Sequence, residues 1–485
     1  MRYQNFDLET LDYRKDGDIE RFRVRVVDSP AGQQRMDNAE DVVIPSDLRR
    51  RARRLAKRLL NLEETIAFGQ TLGHCLFPPR ARRLLMMSRA NLDTGEGLRI
   101  RLRLNTYAVT DLPWEYVYVS RSDALPGQEG IEGFLTLDRR ISLVRYELME
   151  QRLESLDPVG TSPLRLVVLM ADPSTPTYPE LHLDAERRNI EEALEDVPAV
   201  QPEFYPDATV ETVLDAVTRQ AHIFHFAGHG EFEGQLGAAF GSIEGRGSIV
   251  LLGDGGEPRL FSADLLAQTL LGRGIRLAVL GACKGGTRDR VNAWTGVAPA
   301  LTRAGIPAVV GMQFTVGDRN AIAFSRQFYR SLAAGQPIDA AVTDGRLAIR
   351  NRSGRDERDW GVPVLYLRTE EGVLFPSAEA GPPTGERVEL PQIEPATDDI
   401  DQRVLRVALV NSFSLEELEA ICADVEHALE TAGVQVMGRS IPVNLEIGGG
   451  RSKQGKVLNL IQYLDRRGYL GYLVSAVRLH KPGII

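Results

Sequence analysis

Between Pro163 and about Leu367 the chain alternates short, nearly continuous apolar runs with longer stretches whose apolar residues recur at helical spacing. Buried parallel strands read as continuous apolar runs because both their faces are covered, and the intervening amphipathic stretches supply the cover. The runs LRLVVLM (Leu164–Met170), HIFHF (His222–Phe226), IRLAVLG (Ile275–Gly281), AVVG (Ala308–Gly311) and VLYL (Val364–Leu367) are the expected strands. Asp184–Leu194, Thr209–Gln220, Ala263–Leu271 behind a Ser262 cap, Thr295–Ala304, Asn320–Ala333 and Asp339–Arg350 are the expected helices. The expected fold class is α/β, a layered sandwich around a mostly parallel sheet, followed by a small all-α domain.

The flanking regions differ in character. Near the N-terminus, Pro45-Ser46-Asp47 leads into LRRRARRLAKRLLNL, which predicts a helix with Leu48, Leu55, Leu59 and Leu62 on one face and arginines on the other. Such a charge run reads as a solvated face or a partner contact rather than a nucleic-acid site. Further on, RIRLRLN alternates as a half-buried strand does and leads into LPWEYVYV (Leu112–Val119) and LVRYEL (Leu143–Leu148), which extend a sheet. The Gly-rich Gly234–Gly247 is expected to be a loop. From Leu374 to Asp399 five prolines sit among Gly, Glu, Ser and Thr, the composition of a linker. Beyond it, SLEELEAICADVEHAL and KVLNLIQYLDRRGYLGYLVSAVRL carry helical patterns, with Ser414 and Glu417 in capping-box spacing. The expected divisions are 1–155, 160–370, a linker 371–400 and a helical domain 401–485.

Length, charge and cysteine content narrow the function classes. A chain of 485 residues exceeds what one core holds. Its net charge of −9 argues against a general nucleic-acid or anionic-membrane binder. The three cysteines, Cys75, Cys283 and Cys422, are too few for a disulfide framework, so a reducing compartment, the cytoplasm, is expected. No run of about 18 apolar residues exists to span a bilayer, and the N-terminus lacks the apolar segment of an export signal.

Functional residues in open α/β sheets gather where loops leave the carboxyl ends of strands. Two such exits carry reactive side chains beside glycines: HIFHF runs into Ala227-Gly228-His229-Gly230, and IRLAVLG into Ala282-Cys283-Lys284-Gly285-Gly286. His229 precedes Cys283 by 54 positions, close to the roughly 50 by which the histidine precedes the cysteine in caspases. A thiolate attacks a carbonyl far better than a thiol, and a free cysteine is only a few per cent ionised at neutral pH, so a neighbouring imidazole has to activate it. His229 is the candidate base and Cys283 the candidate nucleophile, with the Lys284 cation able to favour the thiolate. No third, orienting residue is visible. Cys75 and Cys422 read as inert core residues. A zinc reading of His222, His225 and His229 fails, because residues 222 and 225 of a strand face opposite sides and no third ligand has the usual spacing. In the tail, Gly450 to Lys456 fits a phosphate-loop pattern, but Val457 replaces the magnesium-holding hydroxyl and too little chain follows for a nucleotide-binding core. No metal and no cofactor is expected.

The segments FHFAGHGEF, LAVLGACKGG, LTRAGIPAVVGMQFTVGD and WGVPVLYL, with LPWEYVYV and LVRYEL upstream, resemble a CHAT domain over about residues 90–370. CHAT domains are similar to caspases and separases, cysteine peptidases of one clan. Gly281 and Lys284 stand where family members often carry Asn or Ser and Ser. The resemblance implies a Cys283–His229 dyad, an oxyanion hole of the Gly230 and Cys283 backbone N–H groups, and a pseudo-caspase-like accessory region over 1–155. In the separase branch an acidic residue after the strand following the nucleophile receives a P1 arginine. Asp318 of MQFTVGD holds the similar place, which implies cleavage after Arg or Lys, while a competing role for Asp318 is to cap the helix over Asn320–Ala333. FSLEELEAICADV, NLEIGGGRSKQGKVLNLIQYLDRRGYLGYLVSAV and the closing HKPG resemble an effector-associated domain, a death-like helical adaptor of bacterial conflict systems. The expected function is a cysteine endopeptidase acting on a protein substrate, recruited through its tail by a sensor or adaptor carrying a matching domain, in bacterial immunity or programmed cell death. The reading from another class is a catalytically silent CHAT scaffold that assembles partners through the C-terminal domain.

Overall fold

The apolar runs do build a sheet, and it is wider than they outline. The computed structural model describes residues 1–105, 107–120, 133–146, 156, 163–236, 243–282, 294–353, 358–369, 372–375, 395–396, 401–413, 415–432, 435–436, 439–440, 443, 453–481 and 484. They fall into two units, Met1–Ala380 and Gly381–Ile485. In the first unit the chain begins with β1 (Arg2–Asp16), β2 (Ile19–Asp28), β3 (Glu40–Ile44), α1 (Leu48–Ala56), α2 (Leu62–Leu76), α3 (Pro79–Ala90), β4 (Glu96–Leu104), α4 (Tyr107–Thr110), β5 (Tyr118–Val119), β6 (Gly133–Phe134) and β7 (Ile141–Arg145). It continues through β8 (Leu164–Ala171), α5 (Leu183–Leu194), β9 (Val200–Tyr205), α6 (Val210–Thr218), β10 (Ile223–Gly228), β11 (Gly230–Leu236), β12 (Ile243–Leu252) and β13 (Pro258–Ser262). It closes with α7 (Ala263–Leu270), β14 (Leu277–Ala282), α8 (Trp294–Ala304), β15 (Ala308–Met312), α9 (Asp318–Ala333), α10 (Ile338–Ser353) and β16 (Pro363–Leu367).

Eleven strands form one sheet in the order β3-β2-β1-β4-β7-β16-β15-β14-β10-β8-β9. The pairings from β15 through β14, β10 and β8 to β9 are all parallel. β16 runs antiparallel to β15 and parallel to β7, so the sheet passes unbroken from the N-terminal region into the half carrying His229. The alternation along each strand explains the continuous apolar runs. Leu166, Val168, Ile223, Leu277, Val279 and Val310 pack on one face with α5, α9 and α10. Val167, Leu169, Phe224, Phe226, Leu280 and Val309 pack on the other with α6, α7 and α8. The Ser262 cap is present, its Oγ accepting from the Leu265 N–H.

Three expectations are corrected. The single basic helix ends at Ala56, because Arg58 sits in the left-handed region at φ 57° and Asn61 begins α2 with a capping box to Glu64. Leu48 and Leu55 are buried as expected, whereas Leu59 is 57% exposed. The Gly234–Gly247 stretch is strand in its described parts: Gly234–Leu236 end β11 and Ile243–Gly247 begin β12, the two strands pair, and Gly247 lets β12 touch α8, since a Cβ there would lie 2.5 Å from the Gly296 backbone. Finally, β9 escaped the pattern because Pro202 interrupts it, and an edge strand is where proline is tolerated.

The N-terminal strands are tied to the rest by buried charge. Arg99 on β4 and Asp339 on α10 form a fork, Nε to Oδ1 at 2.8 Å and Nη2 to Oδ2 at 2.6 Å, with both side chains essentially inaccessible. Gly372, at φ 73°, packs over the pair, and a Cβ on it would fall 2.5 Å from Asp339 Oδ2.

The second unit contains α11 (Gln402–Ser412), α12 (Leu415–Thr431), the two-residue strands β17 (Gln435–Val436) and β18 (Arg439–Ser440), α13 (Lys453–Asp465) and α14 (Leu470–His480). Leu405, Leu409, Ile421, Val425, Leu460, Leu464, Leu473 and Val477 give it a core of its own. The long apolar run after Lys456 is split into α13 and α14 at Gly468, whose φ of 75° ends the first helix. Gly455 and Lys456 lie inside α13, in a helix rather than a phosphate loop. Ser414 lies outside the described residues. No helix among the described residues is long and apolar enough to cross a membrane.

Candidate active site

The parallel register sets three strand ends level. Gly228 on β10 pairs with Ala171 on β8 on one side and with Ala282 on β14 on the other. The next residues in sequence are His229, Asp172 and Cys283. Cys283 and Lys284 lie outside the described residues. Gly228 has to be glycine, since a Cβ would meet the Phe226 ring at 2.5 Å and the Ala171 carbonyl at 3.0 Å. Gly230, the expected oxyanion donor, opens β11 opposite Ile249.

His229 is half-buried and held from two sides. Its own carbonyl accepts from the Val250 N–H at 2.9 Å, and its ring lies 5.3 Å from that of Tyr178, centroid to centroid. Nε2 stands 3.0 Å from the Pro179 carbonyl. A carbonyl only accepts, so the proton is on Nε2 and a neutral ring keeps its lone pair on Nδ1. Burial lowers the His229 pKa from its ordinary value, while the Pro179 hydrogen bond and the charge of Asp172 push the other way. The loop that presents Pro179 is braced within itself: Asp172 Oδ2 accepts from the Leu181 N–H at 2.9 Å, and Tyr178 and Thr175 exchange hydrogen bonds of 2.8 and 3.1 Å.

Asp172 and Pro179 are the residues that sequence reasoning missed. Asp172 follows its strand as His229 follows its own, so the same strand-exit rule would have found it. Pro179 acts through a backbone carbonyl, which leaves no mark on residue identity.

A cavity of about 130 Å³ opens on the α5/α9 face of the sheet. Its walls include Glu186 of α5, His225 of β10, Gly281 of β14 and Asp318 of α9. The capping role for Asp318 is corrected here: α9 starts at Asp318 itself and Gly317 occupies the cap position, leaving Asp318 in the first turn and on the cavity wall. Burial, with the nearby charge of Asp318, pushes Glu186 up to about 7. His225 is fully buried and pushed down to about 4.

The other candidates are structural. His222 Nδ1 accepts from the Arg165 N–H at 2.9 Å. Among the described residues no three His, Cys, Asp or Glu converge as metal ligands. Cys75 and Cys422 are buried, and burial raises the Cys75 thiol to about 12, which removes it as a nucleophile.

This is an α/β layered sandwich with a histidine at one end of its parallel strands and, next in sequence after the neighbouring strand, a cysteine. The CHAT domain family model matches residues 67–379, well over half of the chain, and the protein belongs to that family. Among solved structures the chain is similar to the Arg-specific cysteine proteinase gingipain R, at 11% identity and a TM-score of 0.35 over 61% of this chain and 68% of that one. It is also similar to Saccharomyces cerevisiae separase in complex with securin, at 14% identity and a TM-score of 0.30 over 59% of this chain and 16% of that one. A third likeness is to Chaetomium thermophilum Raptor, at 9% identity and a TM-score of 0.24 over 68% and 36%. No curated protein matches the sequence.

Proposed function

We propose that the protein is a cysteine endopeptidase that cleaves a protein substrate after Arg or Lys, with Cys283 as nucleophile and His229 as base. The observation that carries this reading is the level register of β8, β10 and β14, with His229 braced at Nε2 by the Pro179 carbonyl and Cys283 next after Ala282. In this reading Nδ1 of His229 takes the proton from the Cys283 thiol and the thiolate attacks the scissile carbonyl. The resulting oxyanion is met by the Gly230 and Cys283 N–H groups, each such donor contributing about 2.7–4 kcal/mol. The imidazolium then protonates the leaving amine, and a water activated by the same ring hydrolyses the thioester. The Lys284 cation favours the thiolate, and the Asp318 carboxylate receives the basic P1 side chain. No cofactor enters these steps.

The helical unit supports recruitment: it has its own core behind a Pro-rich linker, as a module that pairs with a like domain on a sensor or adaptor would. We further propose that it works in the cytoplasm, as its three cysteines suggest, and in bacterial immunity or programmed cell death. The test is a panel of fluorogenic peptides varied at P1, offered to the full-length protein alone and with candidate sensor domains. Thiol-dependent cleavage after Arg or Lys is expected. Cleavage after Asp keeps the dyad and removes Asp318 from substrate recognition, and no cleavage even with a bound partner overturns the enzyme reading.

Asp172 gives a second test. Its carboxylate favours the imidazolium form of His229, so Asp172→Asn lowers the His229 pKa further. The asparagine oxygen still accepts from Leu181, which preserves the loop. The acid limb of the kcat/KM profile is expected to move to lower pH by up to about one unit, with kcat about tenfold lower because the imidazolium formed during acylation loses a stabilising charge. A limb that moves upward contradicts the assignment.

A further inference from the structure

We infer that His225 and Glu186 act with Asp318 as a guanidinium-reading set, so that the pocket selects arginine over lysine at P1. The inference rests on the peptidase reading and deepens it. Three features point to a planar cation with several donors. First, His225 is 4% exposed, lines the cavity, and its Nε2 has no hydrogen-bond partner among the described residues. A buried polar atom without a partner is costly unless a ligand supplies one. Nδ1 of the same ring is 3.5 Å from the Tyr329 hydroxyl. With the ring proton on Nδ1 and directed at that oxygen, Nε2 presents a lone pair to the cavity. Because burial holds this histidine far below its ordinary pKa, the ring is uncharged at neutral pH and accepts from a cation without repelling it.

Second, Gly281 leaves the approach to that nitrogen open. It lies two residues before Cys283, and a Cβ at this position would stand 3.4 Å from His225 Nε2.

Third, Glu186 shares the cavity with Asp318, and its burial, with the nearby charge of Asp318, raises the Glu186 pKa. A cation seated beside them offsets both the burial and the like charge and favours the ionised form of Glu186. Val279, Met312, Phe324 and Phe328 supply apolar walls for an aliphatic stem. Two carboxylates and an imidazole nitrogen arranged around one space suit the five-donor planar fork of a guanidinium better than the compact ammonium of lysine.

The experiment compares kcat/KM for matched peptides with Arg, Lys or citrulline at P1, using the full-length wild type, Glu186→Gln and His225→Phe. Thermal melts check that the variants fold, and Glu186→Gln, at a half-buried position, serves if the His225 variant does not. In parallel, binding of agmatine to full-length Cys283→Ala, with and without Glu186→Gln, is followed by calorimetry. The wild type is expected to prefer Arg to Lys by about 10- to 100-fold, the range set by one or two charge-assisted hydrogen bonds, and to leave citrulline uncut. Either substitution is expected to shrink the Arg preference about tenfold or more, and Glu186→Gln to weaken agmatine binding by a similar factor. An Arg preference unchanged in folded variants overturns the inference and leaves the peptidase reading standing. Agmatine binding that depends on Glu186, in a protein that cuts no peptide, supports the pocket and overturns the peptidase reading. Absence of agmatine binding overturns the pocket assignment.

Discussion

Cys283→Ala is expected to abolish peptide cleavage, and His229→Ala to reduce kcat/KM by about 10⁴-fold or more, because nucleophile and base act as a unit and losing one disables the other. The two effects are not additive: the double variant should be no slower than Cys283→Ala. His229→Ala should not move the melting temperature much. Residue 229 is half-buried at a strand exit, outside the two cores that hold the sheet. The wild-type profile also carries information, since the His229 pKa is lowered by burial. In the proposed mechanism the neutral ring is the base, so activity should fall only as pH drops below about 6.5, the ordinary histidine value. Active-site titration with an alkylating agent, read by mass spectrometry of the labelled peptide, checks the nucleophile directly. Labelling at Cys75 instead of Cys283 is incompatible with the assignment, given how far burial raises the Cys75 thiol.

The largest expected effect on stability is at Asp339. Asp339→Ala leaves the Arg99 guanidinium buried without its bidentate partner, and breaking such a pair costs about 3–5 kcal/mol. Arg99 lies on β4 and Asp339 on α10, so the loss loosens the N-terminal strands from the half that carries His229. Replacing both residues by apolar ones of similar volume, Arg99→Met with Asp339→Leu, is expected to cost much less, because no charge is left unpaired. Chemical denaturation of the three proteins, followed by tryptophan fluorescence, tests the order. A double variant less stable than Asp339→Ala would show that the pair contributes through its hydrogen-bonding geometry rather than through the penalty for orphaning it.

Much of the half that carries His229 was legible along the chain. The strands β8, β10, β14, β15 and β16 stand within two residues of the apolar runs that predict them, because a strand covered on both faces has no reason to interrupt its hydrophobicity. Less legible were the elements whose residues answer to neighbours far away. β9 hides behind Pro202 because an edge strand needs hydrogen bonds on one side only. The glycines of β12 resemble loop glycines until α8 is seen pressed against Gly247. Arg58 looks like one more residue of a basic helix, and only its left-handed backbone ends α1.

The candidate site divides the same way. By itself the sequence determined that His229 and Cys283 each follow an apolar strand beside glycines, and that Asp318 begins the region after the next strand; these are properties of chain neighbours. What surrounds His229 was decided by tertiary structure. Register across β8, β10 and β14 brings Asp172 level with it, and a braced loop delivers the Pro179 carbonyl to its Nε2. Packing of α5 and α9 on one sheet face puts Glu186, His225 and Asp318 around a single cavity. A backbone carbonyl has no residue identity to read, and carboxylates on separate helices come to line one cavity only when the chain folds them onto the same face.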